Sequence, residues 1–295
     1  MASHPQPESQ EFESHIQALK HNILEFCPSE HKAAISEVAF SDLQDFEVNA
    51  RRTRTEAGTP VVLVHDGLMG FAQDIASIIV ADWLRDPFTF LNSDLEEEMS
   101  KKATMTCICF LAERPVAQQS RVMPPPPAYA QLATRHTLSL RDGMELFIVS
   151  HEVAHIVLHH PDNTLALVEL AADEWATGVL QRLRSNRPLG GYVSRTDRYT
   201  PMAGLAFLHA QQLLDYVRTN FDAIVEALSL GPGPVKLRYP HDPRDGMTHP
   251  PSNERIDNLV CLLRPTLGSP DTLSFMENLP VLFSRLHGHL AALLA

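Results

Sequence analysis

Residues 145–160, ELFIVSHEVAHIVLHH, constrain this chain more than any other stretch. They set histidines and a glutamate inside an otherwise apolar run, which predicts a largely buried helix. On an α-helix, residues i and i+4 lie about 40° apart on one face. His151 and His155 therefore stand side by side, one turn apart. Imidazoles buried without partners are costly, and a single Zn²⁺ at about 2.0–2.1 Å from each nitrogen would supply one. Glu152 is rotated by about 100° from His151, so it can reach a coordinated water without ligating the ion. Zn²⁺ lowers the pKa of such a water to about 7, and a neighbouring carboxylate can then take its proton as it attacks a carbonyl. This is the H-E-x-x-H arrangement. The competing explanation is a buried helix whose polar residues simply satisfy one another, since the chain holds 15 histidines.

A zinc site needs a third protein ligand. A metzincin would require histidine at position 161, which is Pro161, so that class is excluded. The helix is expected to cover about 140–160 and to stop at this proline. A second helix follows over about 165–184 and contains VELAADEWA (168–176). Glu169, fourteen residues after His155, would face the histidine pair from an antiparallel neighbour. Asp173 lies one turn later on the same face and can fix a ligand histidine's tautomer through its free N–H. Ala171, Ala172 and Ala176 allow the helices to approach closely. Glu174 points elsewhere and is the fallback ligand.

The remaining segments are read from pattern. Residues 1–12 read as a flexible polar tail, and a helix is expected over about 13–26. TPVVLVHDG (59–67) predicts a buried strand ending in a turn, and a helix follows over 68–84. The three arginines of NARRTRT (49–55) leave room for a local basic patch but read first as a solvated turn between two elements. DLEEEMSKK (94–102) predicts a solvated helix face. TMTCICFLA (104–112) alternates and predicts a strand, whose edge is then a candidate for pairing with an extended peptide. MPPPPAYA (123–130) and 231–251 read as irregular, 202–228 as helical, and two helices close the chain. His159, His160, His241, His287 and His289 read as surface or helix-end residues.

Formal charge is −12, which argues against a nucleic-acid surface and against docking on anionic lipid. No apolar run reaches the roughly 18 residues of a membrane span, and the N-terminus lacks a signal-type apolar core. Cys27, Cys107, Cys109 and Cys261 form no C-x-x-C pair and read as reduced thiols of a cytoplasmic protein. There is no G-x-S-x-G nucleophile elbow.

His151-Glu152-x-x-His155 followed by Glu169-x-x-x-Asp173 resembles a gluzincin metallopeptidase. ELAAD (169–173 with its flank) and THPPSNERI (248–256) resemble segments of the HtpX and CAAX-prenyl-protease superfamily, in the same order. The likeness covers about a third of the chain. It implies a zincin-like fold, one Zn²⁺ per chain, and a role near the site for Arg255, in substrate or transition-state contact, and for His249, as a regulatory or supporting residue. An equally open reading is that Pro250 and Pro251 start a helix and Arg255 anchors a loop. Members of that superfamily are membrane proteins, so soluble H-E-x-x-H proteins of the ImmA/IrrE and Lit types are the nearer comparison.

The expectation is thus a single mainly helical α+β domain over 13–295 with a small β-sheet. Its active-site helices span about 140–184 and a supporting segment about 245–265. It would be a soluble zinc endopeptidase with Glu152 as base and His151, His155 and Glu169 as ligands, acting on a protein or peptide substrate. The alternatives are a regulatory or defence protease with one specific partner, and a non-catalytic zinc-stabilised binding protein. His249 is also a candidate for occupying the open metal position in a latent state.

Overall fold

The computed structural model describes residues 7–43, 45, 47–84, 93–112, 130–160, 166–185, 200–228, 252–268 and 270–295. The chain folds as a mainly helical α+β protein with one three-stranded sheet. Helix α1 covers Pro7–Phe26, so regular structure begins inside the segment read as a tail, and proline suits a first helical turn. A short helix α2 (Lys32–Ser36) leads into β1 (Ala39–Leu43), β2 (Ala50–Arg54) and β3 (Pro60–His65). β3 lies between the others, parallel to β1 and antiparallel to β2. Its β-branched residues Val62 and Val64 are fully buried, as expected for a central strand.

β2 occupies the stretch expected to be a solvated turn. The hairpin to β3 closes where Gly58 N–H donates to the Thr55 carbonyl and Thr55 N–H to the Thr59 carbonyl. Gly58 carries the positive φ of 85° that this tight loop demands. In an antiparallel ladder alternate residues bond inward. Thr55 pairs with Thr59, and His65 N–H donates to Asn49 O, so the odd-numbered residues of β2 face β3. The backbone groups of Ala50, Arg52 and Arg54 face away from β3, toward the edge that no other strand among the described residues pairs with.

Asp66 does not turn the chain away but opens helix α3 (Asp66–Trp83) directly from β3. Helix α4 (Ser93–Ala112) replaces the strand expected at 104–112. Ala103, Thr104, Thr106, Cys107, Ile108, Cys109 and Leu111 are all buried, so the segment is covered on every side and its alternation of residue types carried no information about a sheet face. Phe110 meets Phe71 edge-on at 5.7 Å. With no strand there, the expected peptide-pairing edge at 104–111 does not exist.

Helix α5 (Ala130–Val157) begins ten residues before the expected start. Its added turns are held by tertiary contacts, His136 edge-on to Trp83 and Ser139 bonded to Thr200. Helix α6 (Ala166–Ser185) packs along it, as does α3. Helices α7 (Ala203–Thr219), α8 (Phe221–Ala227), α9 (Ser252–Leu263) and α10 (Pro270–Leu293) complete the bundle. α7 sits very close to α5. A Cβ on Gly204 would fall 2.5 Å from the Phe147 ring, and one on Gly143 would fall 2.7 Å from Ala203 Cβ. No helix among the described residues is long and apolar enough to cross a membrane.

Candidate metal centre

α5 stops four residues short of Pro161, at a left-handed cap instead of at the proline. His159 takes φ 54°. His160 N–H donates to the His155 carbonyl at 3.0 Å and His159 N–H to that of Ile156 at 3.2 Å. This pair of reversed bonds is the usual termination after a left-handed residue. It fixes the last turn of α5, which carries His155.

α6 runs back antiparallel along that turn. His151 reaches both Glu169 and Asp173, while His155, nearer the α5 terminus, reaches only Glu169, nearer the α6 start. Ala172 and Ala176 are fully buried between the helices and keep them close. The ligating atoms converge: His151 Nε2 lies 3.0 Å from His155 Nε2 and 3.1 Å from Glu169 Oε2, and His155 Nε2 lies 3.4 Å from Glu169 Oε1. A tetrahedral ion bonded at about 2.0–2.1 Å requires neighbouring ligand atoms about 3.3 Å apart. Two imidazoles and one carboxylate are moreover the donor set of several catalytic zinc sites. The residues therefore fit such an ion. Glu174 is exposed and takes no part.

The surroundings orient the ligands. His151 Nδ1–H donates to Asp173 Oδ1 at 2.9 Å, which leaves Nε2 as the atom turned toward the centre. Arg255, on α9, donates to Asp173 from Nε and from Nη2, each at 2.7 Å. It thus stands behind His151 in a positioning role and anchors α9 to α6. The neighbouring 248–251, including His249, lies outside the described residues. The Phe147 ring centroid lies 6.5 Å from that of His151, and Gly204 leaves the room that the Phe147 ring occupies.

Two further residues belong to the site, neither of which was expected there. His160 places its Nδ1 3.0 Å from His155 Nδ1, doing for the second imidazole what Asp173 does for the first. Arg52, on β2, donates its backbone N–H to Glu152 Oε2 at 2.9 Å. Its guanidinium also bonds the carbonyls of His155 at 3.1 Å and His160 at 2.9 Å, capping the end of α5 where cations are favoured. For Arg52 the one local signal was the β-prone Thr and Arg run of NARRTRT; for His160 there was none in residue type.

Electrostatics follow from burial and these partners. Burial alone would push the His151 imidazole down, but its bonds to Asp173 and Glu169 raise it to about 9. Burial, then the His151 charge, takes His155 down to about 3. Without an ion the pair thus holds one proton beyond neutrality, on His151, which a metal must displace, so binding is coupled to pH. Burial lifts the Glu152 carboxyl above its ordinary range, against the pull of His151 and the Arg52 N–H. Burial would also lift Asp173, but Arg255 holds it below the usual carboxylate range.

A second group, Asp45, Glu47 and His65, also brings three ligand atoms within 4.8 Å. There His65, itself buried, has its Nδ1 2.8 Å from Asp45 Oδ1 and 3.7 Å from Glu47 Oε2, and both carboxylates are partly exposed.

No family model, no curated protein and no solved structure matches this chain.

Proposed function

We propose that this chain is a zinc-dependent endopeptidase. One observation carries the reading: three buried ligand atoms from His151, His155 and Glu169 lie within 4.8 Å of one another, beside a half-buried Glu152 that is not among them. A structural site would close with a fourth protein ligand, and a catalytic one keeps a position open. When bound there, Zn²⁺ acidifies water and polarises a carbonyl. Glu152 accepts a proton from the attacking water and returns it to the departing amine nitrogen as the C–N bond breaks. Its raised affinity for the proton brings it nearer the pH at which such transfer is efficient.

The extended substrate lies along β2 in place of the edge first expected at 104–111. The outward backbone groups of Ala50 and Arg54, on either side of the Arg52 N–H that Glu152 accepts, form a template for strand addition. The Arg52 N–H on Glu152 puts that template at the base. Asp173 and His160 hold the two imidazoles in the tautomers that ligate through Nε2.

Elemental analysis of purified protein tests the reading. About one zinc per chain, lost in His155→Ala, is the expected result, together with cleavage of peptides that a chelator abolishes. Metal-free protein after repletion with zinc would return His151 and His155 to the simpler account, a hydrogen-bonded polar cluster in a helix.

A further inference from the structure

The chain carries a net charge of −12, yet three of its arginines, Arg51, Arg52 and Arg54, fall within one five-residue strand at the edge of the sheet. Arg52 is committed to the end of α5. Arg51 and Arg54 are exposed, and among the described residues neither forms an ion pair with a carboxylate; Arg54 bonds only the Gly58 carbonyl of its own hairpin.

Side chains alternate along a strand, so Arg51 stands on one face of the sheet and Arg52 and Arg54 on the other. A peptide added at this edge places its own side chains beside them on both faces. Opposite charges directly across two strands are favourable and like charges are not. The chain's overall negative charge does not cancel this, because charges beyond about 8 Å are screened at physiological salt.

We propose that the β2 edge selects acidic extended segments, so that the substrates are proteins with Asp or Glu on both sides of the bond presented to Glu152. The inference rests on the peptidase reading and adds the substrate class to it. A competing explanation is that the arginines only keep this edge from pairing with another copy of the chain, since charged side chains are a common protection of edge strands. That explanation predicts no preference among substrates.

The test uses the full chain loaded with zinc and two peptide libraries with the same degenerate apolar centre, one flanked by Glu and one by Lys. The expected kcat/KM is about tenfold higher for the Glu-flanked library at low salt, and the ratio falls toward one at about 1 M salt, where the screening length is about 3 Å. Arg51→Glu, which leaves the hairpin contact of Arg54 in place, should reduce the ratio, and Arg51→Glu with Arg54→Glu should invert it. Arg51→Gln with Arg54→Gln serves if the reversed pair does not fold. Equal rates for the two libraries, or a preference unchanged in these variants, would overturn the proposal. If neither library is cleaved, anisotropy of the same labelled peptides on the Glu152→Gln chain decides. Tighter binding of the Glu-flanked set that depends on Arg51 upholds the edge while the peptidase reading fails alone, and indistinguishable binding removes the edge as well.

Discussion

Helix α5 carries two buried polar clusters, about 9 Å apart along its axis, and they solve the same problem differently. In the first, His15 Nε2 lies 2.5 Å from Glu145 Oε2, Arg141 Nε lies 3.6 Å from Glu145 Oε1, and Arg141 Nη2 bonds Asp142 Oδ1 at 2.5 Å. Every carboxylate faces an imidazole or a guanidinium. In the second, two imidazole nitrogens face each other at 3.0 Å and a carboxylate faces both. A single shared proton cannot serve all of those lone pairs, whereas an ion at their common point can. Burial of histidine and glutamate on one helix is therefore not what marks a metal centre. Convergence of donor atoms, with outer partners that fix each tautomer, is what separates the second cluster from the first.

The largest expected difference between them is in turnover. Glu152→Gln should keep about one metal per chain and lose roughly 10²- to 10⁴-fold in cleavage rate, the usual worth of a positioned general base. Glu145→Gln, in the same assay, should change the rate only a few fold. Parallel metal analysis and peptide hydrolysis read both outcomes. Equal losses from the two substitutions would mean that the clusters act as one unit and that the contrast is false.

Stability should show the reverse ranking. Glu145→Ala leaves His15 and Arg141 buried beside a missing carboxylate, and removing one partner of a buried pair costs about 3–5 kcal/mol. Chemical denaturation of the variant should show that loss while zinc content stays at the wild-type level. Loss of zinc from a variant that is still folded would tie Glu145 to the metal centre.

Legibility of the two clusters from sequence differed for a physical reason. His151, His155, Glu169 and Asp173 follow from helix periodicity and one short antiparallel connection, both local properties. Arg52 lies 100 residues from Glu152 in the chain, and only the sheet's placement across α5 brings its N–H to that carboxylate. His160 joins the site because a left-handed His159 ends α5 before Pro161, which residue types alone do not disclose. The His15–Glu145 pair spans 130 residues and was equally hidden. At 104–112 alternation suggested a strand, but the segment is packed on all sides, and there tertiary burial decides between helix and strand. The mainly helical α+β class was legible, because most of the chain lies in long amphipathic stretches.

The pH dependence of the first cluster offers a further contrast. Burial raises Asp142 to about 6, against the opposing influence of Arg141, from an ordinary value of 3.8. Between these values the folded chain keeps a proton that the unfolded chain has lost. This group's contribution to stability is thus present below about pH 4 and falls as pH rises toward 6; above that the buried carboxylate costs about 3 kcal/mol. Asp142→Asn removes the titration. Its melting temperature relative to wild type should therefore rise between pH 4 and pH 7, and a difference that stays flat across that window would show that Asp142 is not held in this way.

The smallest of these effects concerns what holds the second cluster in shape. Arg255 touches no ligand of the centre; its two bonds go to Asp173, which in turn holds His151 Nδ1. Losing an outer partner of a metal-binding histidine typically costs 10- to 100-fold in metal affinity. Arg255→Ala should weaken zinc binding within that range, read by competition with a chromophoric chelator. Arg255→Lys should recover only part of it, because an ammonium cannot reproduce the two-pronged geometry of a guanidinium on a carboxylate. Asp173→Asn should weaken binding to a similar extent, and adding Arg255→Ala to it should cost little more, since both act through one hydrogen bond to His151. Fully additive losses would mean that Arg255 reaches the centre by another route, such as the substrate contact that the resemblance implied. The two clusters on α5 would then differ in having a reactive arginine as well as convergent ligands.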